Sequence, residues 1–284
     1  IPCSEHMIQH CFQWDVDKVV NLAIEGTRTA HDQGVHVTLF GIDSSRAEYK
    51  WLSDIISRIS VSGHIDTFAI VDTQGVLSIA GSRFLIRSLK RDFTMPIEIH
   101  YHNDLGMANA NCLASIEEGA EVAHTTVLGM GPRAGQASTE QLAVALKLLY
   151  DVDLGIRIEK LYDLCALVAE LAPHTMASNQ PIVGKSLYQI ESGIPVSWWL
   201  RIRDENPTAF YGILPSLFGN RDVDIVLGKG SGLASINYWL DKLSLEFDEG
   251  KAPELLKEVK KMAMQKNGLI DESEFRELVN KFNQ

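Results

Sequence analysis

The chain has 284 residues, 45% of them hydrophobic, enough to bury one large domain and a smaller appended one. Its 37 acidic and 26 basic residues leave a formal net charge of -11, which excludes the concentrated basic face that a nucleic acid requires. The longest apolar stretches, such as 162–172, are broken by Asp163 and Glu170 and fall short of the roughly 20 residues that span a bilayer, so no membrane insertion is expected.

The four cysteines, Cys3, Cys11, Cys112 and Cys165, are irregularly spaced and do not form a secreted disulfide framework, which makes a reducing cytoplasm the expected compartment. In chain order, Asp15 to Ala30 predicts a first helix, with apolar positions at Val16, Val19, Val20, Leu22, Ala23 and Ile24. A β-branched and aromatic run at Val35 to Ile42 predicts a strand, followed by a helical stripe over Ser45 to Ile59. Further strands are expected at Thr67 to Val71, Ile97 to Tyr101 and Val122 to Leu128, each followed by a helix-like segment. Among these are Asn109 to Glu118 and the alanine- and leucine-rich Thr139 to Leu149. A repeat of roughly 25 to 30 residues is the length of one βα unit, and near-continuous apolar strands such as His36 to Phe40 suit a parallel sheet covered on both faces.

After Tyr150 the pattern changes. Ile158 to Leu171 reads as a helix without a preceding strand, a Gly/Pro-punctuated stretch runs from Pro173 to Gly232, and two further helices close the chain, the last capped by Asp271 or Ser273. The segment after Gly268 lacks the twelve-residue pattern of oxygen ligands of a calcium loop. The expected division is therefore a βα domain over 1–150 and a mainly helical region over 151–284.

The sharpest chemical signal is Glu98-Ile99-His100-Tyr101-His102-Asn103-Asp104. Two histidines two apart on a strand project to one side, and imidazole is the commonest transition-metal ligand. By itself such a pair is more often a pair of core or surface histidines than a metal site. It is followed by Leu105-Gly106, then Gly119-Ala120, then Leu128-Gly129-Met130-Gly131-Pro132-Arg133-Ala134-Gly135-Gln136. Together these resemble the His-x-His-Asn-Asp-x-Gly and Gly-x-Gly-x-Arg-Ala-Gly signatures of the DRE-TIM metallolyases, which comprise isopropylmalate, homocitrate and citramalate synthases and hydroxymethylglutaryl-coenzyme A lyases. Val71-Asp72-Thr73-Gln74-Gly75, Ile42-Asp43-Ser44-Ser45-Arg46 and Ser4-Glu5-His6-Met7 resemble further family segments, so the likeness covers most of the chain.

The resemblance implies an α/β TIM barrel of which this chain carries the C-terminal half, followed by a mainly helical region. It implies a divalent metal (zinc, manganese, magnesium or cobalt) at His100, His102 and the amide of Gln136, with acetyl-coenzyme A as co-substrate. The family's first-strand Asp-x-x-x-Arg-Asp-Gly segment is absent here, so the expectation is a truncated sequence or a companion polypeptide that supplies the other half-barrel; separately, the resemblance implies a homodimer, for which Trp198-Trp199-Leu200 would suit the contact. His6 and Thr73 resemble positions that contact a 2-keto acid, and Arg133 one that approaches coenzyme A phosphate. Thr73 also reads as an ordinary turn residue and Arg133 as a surface arginine.

Three departures stand out. Gln136 replaces an Asn, Pro132 replaces a Glu, and Pro195 replaces the second histidine of a His-x-Ser-Gly-Ile-His segment, here Glu191-Ser192-Gly193-Ile194-Pro195. Glu191 and Tyr211 are the remaining candidates for proton transfer. Leu227 to Gly232 resembles a family turn before a helix and misses the phosphate-loop spacing. The implied activity is a metal-dependent acyl transfer that condenses acetyl-coenzyme A with a 2-keto acid. The rival expectations are a metal-dependent carbon–carbon lyase and a non-catalytic homologue, although the lyases' cysteine-containing glycine loop has no counterpart at Gly129 to Gly135.

Overall fold

A computed structural model describes residues 1–172, 175–219 and 222–283. Two compact units emerge, 1–156 and 157–284, where the sequence pattern places the division at 150.

The first unit is a four-stranded parallel sheet in the order β1 (Thr38–Gly41), β2 (Thr67–Asp72), β3 (Ile97–Tyr101), β4 (Val122–His124). Helix α1 (Val16–Asp32) precedes it, and α2 (Tyr49–Ser62), α3 (Ile79–Asp92), α4 (Ala108–Glu117) and α5 (Thr139–Tyr150) follow the successive strands. Local chemistry starts these helices: Asp15 accepts from the Lys18 N–H at 2.7 Å, Ser78 from Gly81 and Ser138 from Gln141. Each helix presents its stripe to the sheet, as in α2, where Leu52, Ile55, Ile56 and Ile59 are all buried. They pack with Leu39, Phe68, Ile70, Ile97, Ile99 and Tyr101 into one core. Gly41 is required here, because a Cβ on it would lie 2.6 Å from the Phe68 ring.

Strand alternation and register place Thr38 and Phe40, Thr67, Ala69 and Val71, Glu98 and His100, and Val122 and His124 on the opposite face. Residues 1–3 run parallel along β1: the Ile42 N–H donates to Ile1 O and the Cys3 N–H to Ile42 O, both at 2.8 Å. Two strands are shorter than their apolar runs. The run from Val35 is strand only from Thr38, and the run to Leu128 ends at His124, because Leu128 takes a left-handed φ of 61° in a 3-10 turn over Val127–Gly129.

The second unit is mainly helical, as expected, with one addition: β5 (Gln189–Ile190) and β6 (Asp224–Ile225) form a two-stranded parallel pair. Helix α6 (Leu161–Leu171) opens the unit; α7 (Gly193–Ile202), α8 (Leu233–Lys242), α9 (Ala252–Lys266) and α10 (Glu272–Asn283) complete it. Its core gathers Val196, Trp199, Ile225, Trp239, Leu255 and Phe275, and the Trp239 indole donates to Ile225 O at 2.7 Å. Asp271 is the residue that caps α10, accepting from the Glu274 N–H. Pro173, the expected start of the Gly/Pro-rich stretch, lies outside the described residues. Among the described residues no helix is long and apolar enough to cross a membrane.

Candidate functional site

The carboxyl end of the parallel sheet brings together His100 of β3 and His102, the residue just past its end. The His100 and His102 ring centroids are 5.4 Å apart, with the planes at 68°. His102 is 9% exposed, and its Nδ1 lies 3.2 Å from Gly135 O. A proton on Nδ1 satisfies that carbonyl and leaves the Nε2 lone pair available, the arrangement found in metal-ligating histidines. His100 Nδ1 is buried and has no hydrogen-bond partner. Burial, followed by the neighbouring His102 and His124, lowers the His100 pKa to about 4, so the imidazole is neutral near pH 7. An orphaned nitrogen and a neutral ring are what a cation ligand needs, so this pair fits a divalent metal. Among the described residues no group of three or more His, Cys, Asp or Glu side chains is arranged to hold an ion, so this unit offers two imidazoles as its principal donors.

The low His100 value gives a testable pH dependence. Between the unfolded value of 6.5 and the folded value of about 4 the unfolded chain binds more protons, so the stability held above pH 6.5 is lost as pH falls towards 4. Histidine-resolved NMR titration is expected to show the His100 ring protonating near pH 4; a midpoint near 6.5 would contradict its burial.

Two residues not singled out in the sequence line the same face. His124 pairs in register with His100, at 5.6 Å between ring centroids, and its Nε2 is 2.8 Å from Glu98 Oε2. Glu98 Oε1 accepts from Thr67 Oγ1 at 2.7 Å and Thr38 Oγ1 at 3.3 Å. The available signal was the alternation Glu98-x-His100-x-His102, which puts all three on one side; the partner His124 has no such local signature.

The strand-end loops are tied by charge. Asp43, fully buried with a left-handed φ of 62°, accepts from Arg46 Nε and Nη2 at 2.7 and 2.8 Å and from Ser4 Oγ. The Asp43 N–H donates to Thr73 Oγ1 at 2.7 Å, which leaves the Thr73 hydroxyl proton free to serve an acceptor. Arg133 donates to both oxygens of Asp104, at 2.7 and 2.9 Å, and to Thr73 O at 2.6 Å. This bidentate contact holds the Asp104 carboxyl below the usual carboxylate range. Gln136 forms an antiparallel bridge with His102, and its side chain lies over Gly131, where a Cβ would meet Gln136 Cγ at 3.0 Å.

His100, His102, Gln136, Thr73 and Arg133 therefore share one end of the sheet. His6 is exposed, and its ring packs edge-on against His10 at 4.9 Å; from that segment it is Ser4 that reaches Asp43. Glu191 and Tyr211 belong to the second unit. Glu191 Oε1 accepts from the Gly230 N–H at 2.6 Å and so braces the glycine turn before α8, while Tyr211 packs edge-on among Tyr188, Trp199 and Phe210.

Comparison with known proteins places the chain in a family. The HMGL-like family model matches residues 1–168. Homocitrate synthase AksA of Methanothermobacter thermautotrophicus is 32% identical over 273 residues, covering 96% of this chain and 68% of that protein. Putative (R)-citramalate synthase CimA of Methanosarcina acetivorans is 35% identical over 95% of this chain and 55% of its own length. Probable 2-isopropylmalate synthase of Methanopyrus kandleri is 34% identical, over 92% and 51%. The chain thus spans about half to two thirds of the length of these relatives. Hydroxymethylglutaryl-CoA lyase from Pseudomonas aeruginosa superposes with a TM-score of 0.56 at 20% identity, covering 66% of this chain and 65% of that one, a likeness of fold. With a matching family model over more than half its residues and the same parallel α/β architecture, the chain belongs to the HMGL-like family.

Proposed function

We propose that the chain carries the cation- and keto-acid-binding part of an acyltransferase that condenses acetyl-coenzyme A with a 2-keto acid. The observation that carries this reading is the pair of imidazoles, His102 oriented by Gly135 O and His100 with a buried, unpartnered Nδ1, at the carboxyl end of a parallel sheet. The names of the relatives, homocitrate, citramalate and isopropylmalate synthase, point to the same chemistry.

A divalent metal, when bound, supplies Lewis-acid polarisation of the keto carbonyl. His100 and His102 would hold it, with Gln136 contributing its amide oxygen. Thr73, its oxygen already engaged by the Asp43 N–H, donates its proton to the keto-acid carboxylate. Arg133 fixes the Thr73 loop through Asp104 and remains a candidate for coenzyme A phosphate. His6 is a further candidate contact to the keto acid. Glu191 and Tyr211 are the candidates for moving the acetyl methyl proton, which requires a positioned base. We place the protein in the cytoplasm, working as a homodimer or beside a companion polypeptide.

The test is thiol release from acetyl-coenzyme A in the presence of zinc, manganese, magnesium or cobalt and a panel of 2-keto acids. Release that depends on the keto acid and is abolished by a chelator is expected. Cleavage of a hydroxyacyl thioester without any condensation would replace this reading with the lyase. Thr73→Val is expected to raise KM for the keto acid about tenfold, the cost of a hydrogen bond to a charged group, with metal content unchanged.

A further inference from the structure

The second unit contains a cavity of about 390 Å³ beside the β5–β6 pair and α8, room enough for one small molecule. Three segments wall it. Lys185 and Tyr188 lead into β5, Asp222 and Asp224 lie at the entry to β6, and Tyr238 and Lys242, four residues apart, share one face of α8. The first two segments are joined by the Asp224 N–H, which donates to Tyr188 O at 2.9 Å. The Tyr188 ring packs edge-on against Tyr211 at 5.3 Å, and the Lys242 ammonium lies 5.0 Å from the Trp239 ring and 5.8 Å from that of Tyr238. Two cations and two anions therefore line one cavity, yet among the described residues none of the four side chains forms an ion pair or a hydrogen bond.

Opposite charges that line a cavity without pairing are the complement of a molecule that carries both signs. A dianion placed here would be repelled by two carboxylates and a dication by two ammonium groups, whereas a zwitterion pairs with both sets at once. The two tyrosine rings supply an apolar surface against which a hydrocarbon or aromatic group leaves water. We infer that this cavity is a binding site for a free α-amino acid with an apolar or aromatic side chain. Its carboxylate meets Lys185 and Lys242, its ammonium meets Asp222 and Asp224, and its side chain lies on Tyr188 and Tyr238. The site is built wholly from the second unit and shares no residue with the histidine pair, so it stands independently of the reaction proposed above.

Isothermal titration of the full chain with phenylalanine, 3-phenylpropanoate and 2-phenylethylamine tests this, since the second compound lacks the ammonium and the third the carboxylate. Phenylalanine is expected to bind at least about tenfold more tightly than either, the worth of one hydrogen bond to a charged group. Asp222→Asn combined with Asp224→Asn is expected to erase most of the preference over phenylpropanoate, and Lys185→Gln to reduce the preference over phenylethylamine. Thermal midpoints should stay unchanged in these variants, because the replaced side chains have no ion pair or hydrogen bond in the fold to lose. No heat with phenylalanine, equal affinity for all three compounds, or a preference that survives its substitution would overturn the proposal.

Discussion

Replacing His100 by Leu is expected to abolish cation binding while leaving the metal-free protein at least as stable as before. The two effects separate because the His100 imidazole is costly in the folded chain: its Nδ1 is buried without a partner, and burial drives its pKa down to about 4. An unsatisfied buried polar atom costs about 1–3 kcal/mol, which an apolar side chain of similar size does not incur. In urea unfolding with a chelator present, His100→Leu should therefore equal the parent or exceed it by up to about 2 kcal/mol. Its stability should also vary less with pH between 6.5 and about 4, since the group responsible is gone. Metal affinity should fall by more than about 100-fold, beyond what loss of an outer-shell partner costs. A stabilised variant that cannot hold metal identifies a residue kept for function at the expense of packing. A destabilised variant with undiminished metal content would show instead that His100 is a core residue, and the proposed centre would have to be abandoned.

Gly135→Ala is expected to be the most disruptive single-methyl change in the first unit. Gly135 has a φ of +83°, and an added Cβ would lie 1.9 Å from Gly129 O, a backbone atom with no rotamer in which to escape. The same residue's carbonyl accepts from the Asn103 N–H at 3.0 Å and faces His102 Nδ1 at 3.2 Å. Moving this backbone therefore removes the group that sets the His102 tautomer. We expect a loss of about 3–5 kcal/mol in unfolding free energy, the range of a clash combined with a disfavoured backbone region. In whatever fraction folds, metal binding should weaken. Gly131→Ala is the milder comparison, since its Cβ would meet the flexible Gln136 side chain at 3.0 Å and Gly135 Cα at 3.3 Å, and a change within about 1 kcal/mol is expected. Comparable costs for the two variants would mean that the loop yields at Gly129 and that Gly135 O does not orient His102.

Where a structural choice depends on neighbours a few residues away, it was legible in the sequence. Alternation alone put Glu98, His100 and His102 on one face of β3, and the stripe at Leu52, Ile55, Ile56 and Ile59 marked the buried side of α2. The recurrence of βα units announced a parallel sheet, and the glycine- and arginine-rich segments announced the family that the comparisons confirm. Strand ends were less legible, because an apolar run extends past the point where pairing stops: Thr126 bonds with the 137–139 segment and Leu128 turns left-handed, which periodicity does not register.

The tertiary structure alone decided who meets whom. His124 joins the site because parallel register sets it beside His100 and within reach of Glu98, 26 residues earlier in the chain. Ser4 meets Asp43 across 39 residues, and Arg133 meets Thr73 across 60. Through such contacts Thr73 Oγ1 becomes the acceptor of the Asp43 N–H and Glu191 the brace of a glycine turn. Residue type and spacing determine which chemistry a chain can carry, since propensity, alternation and ligand character are local properties. Convergence of donors at a point depends on strand register and loop closure, which sum interactions over the whole fold.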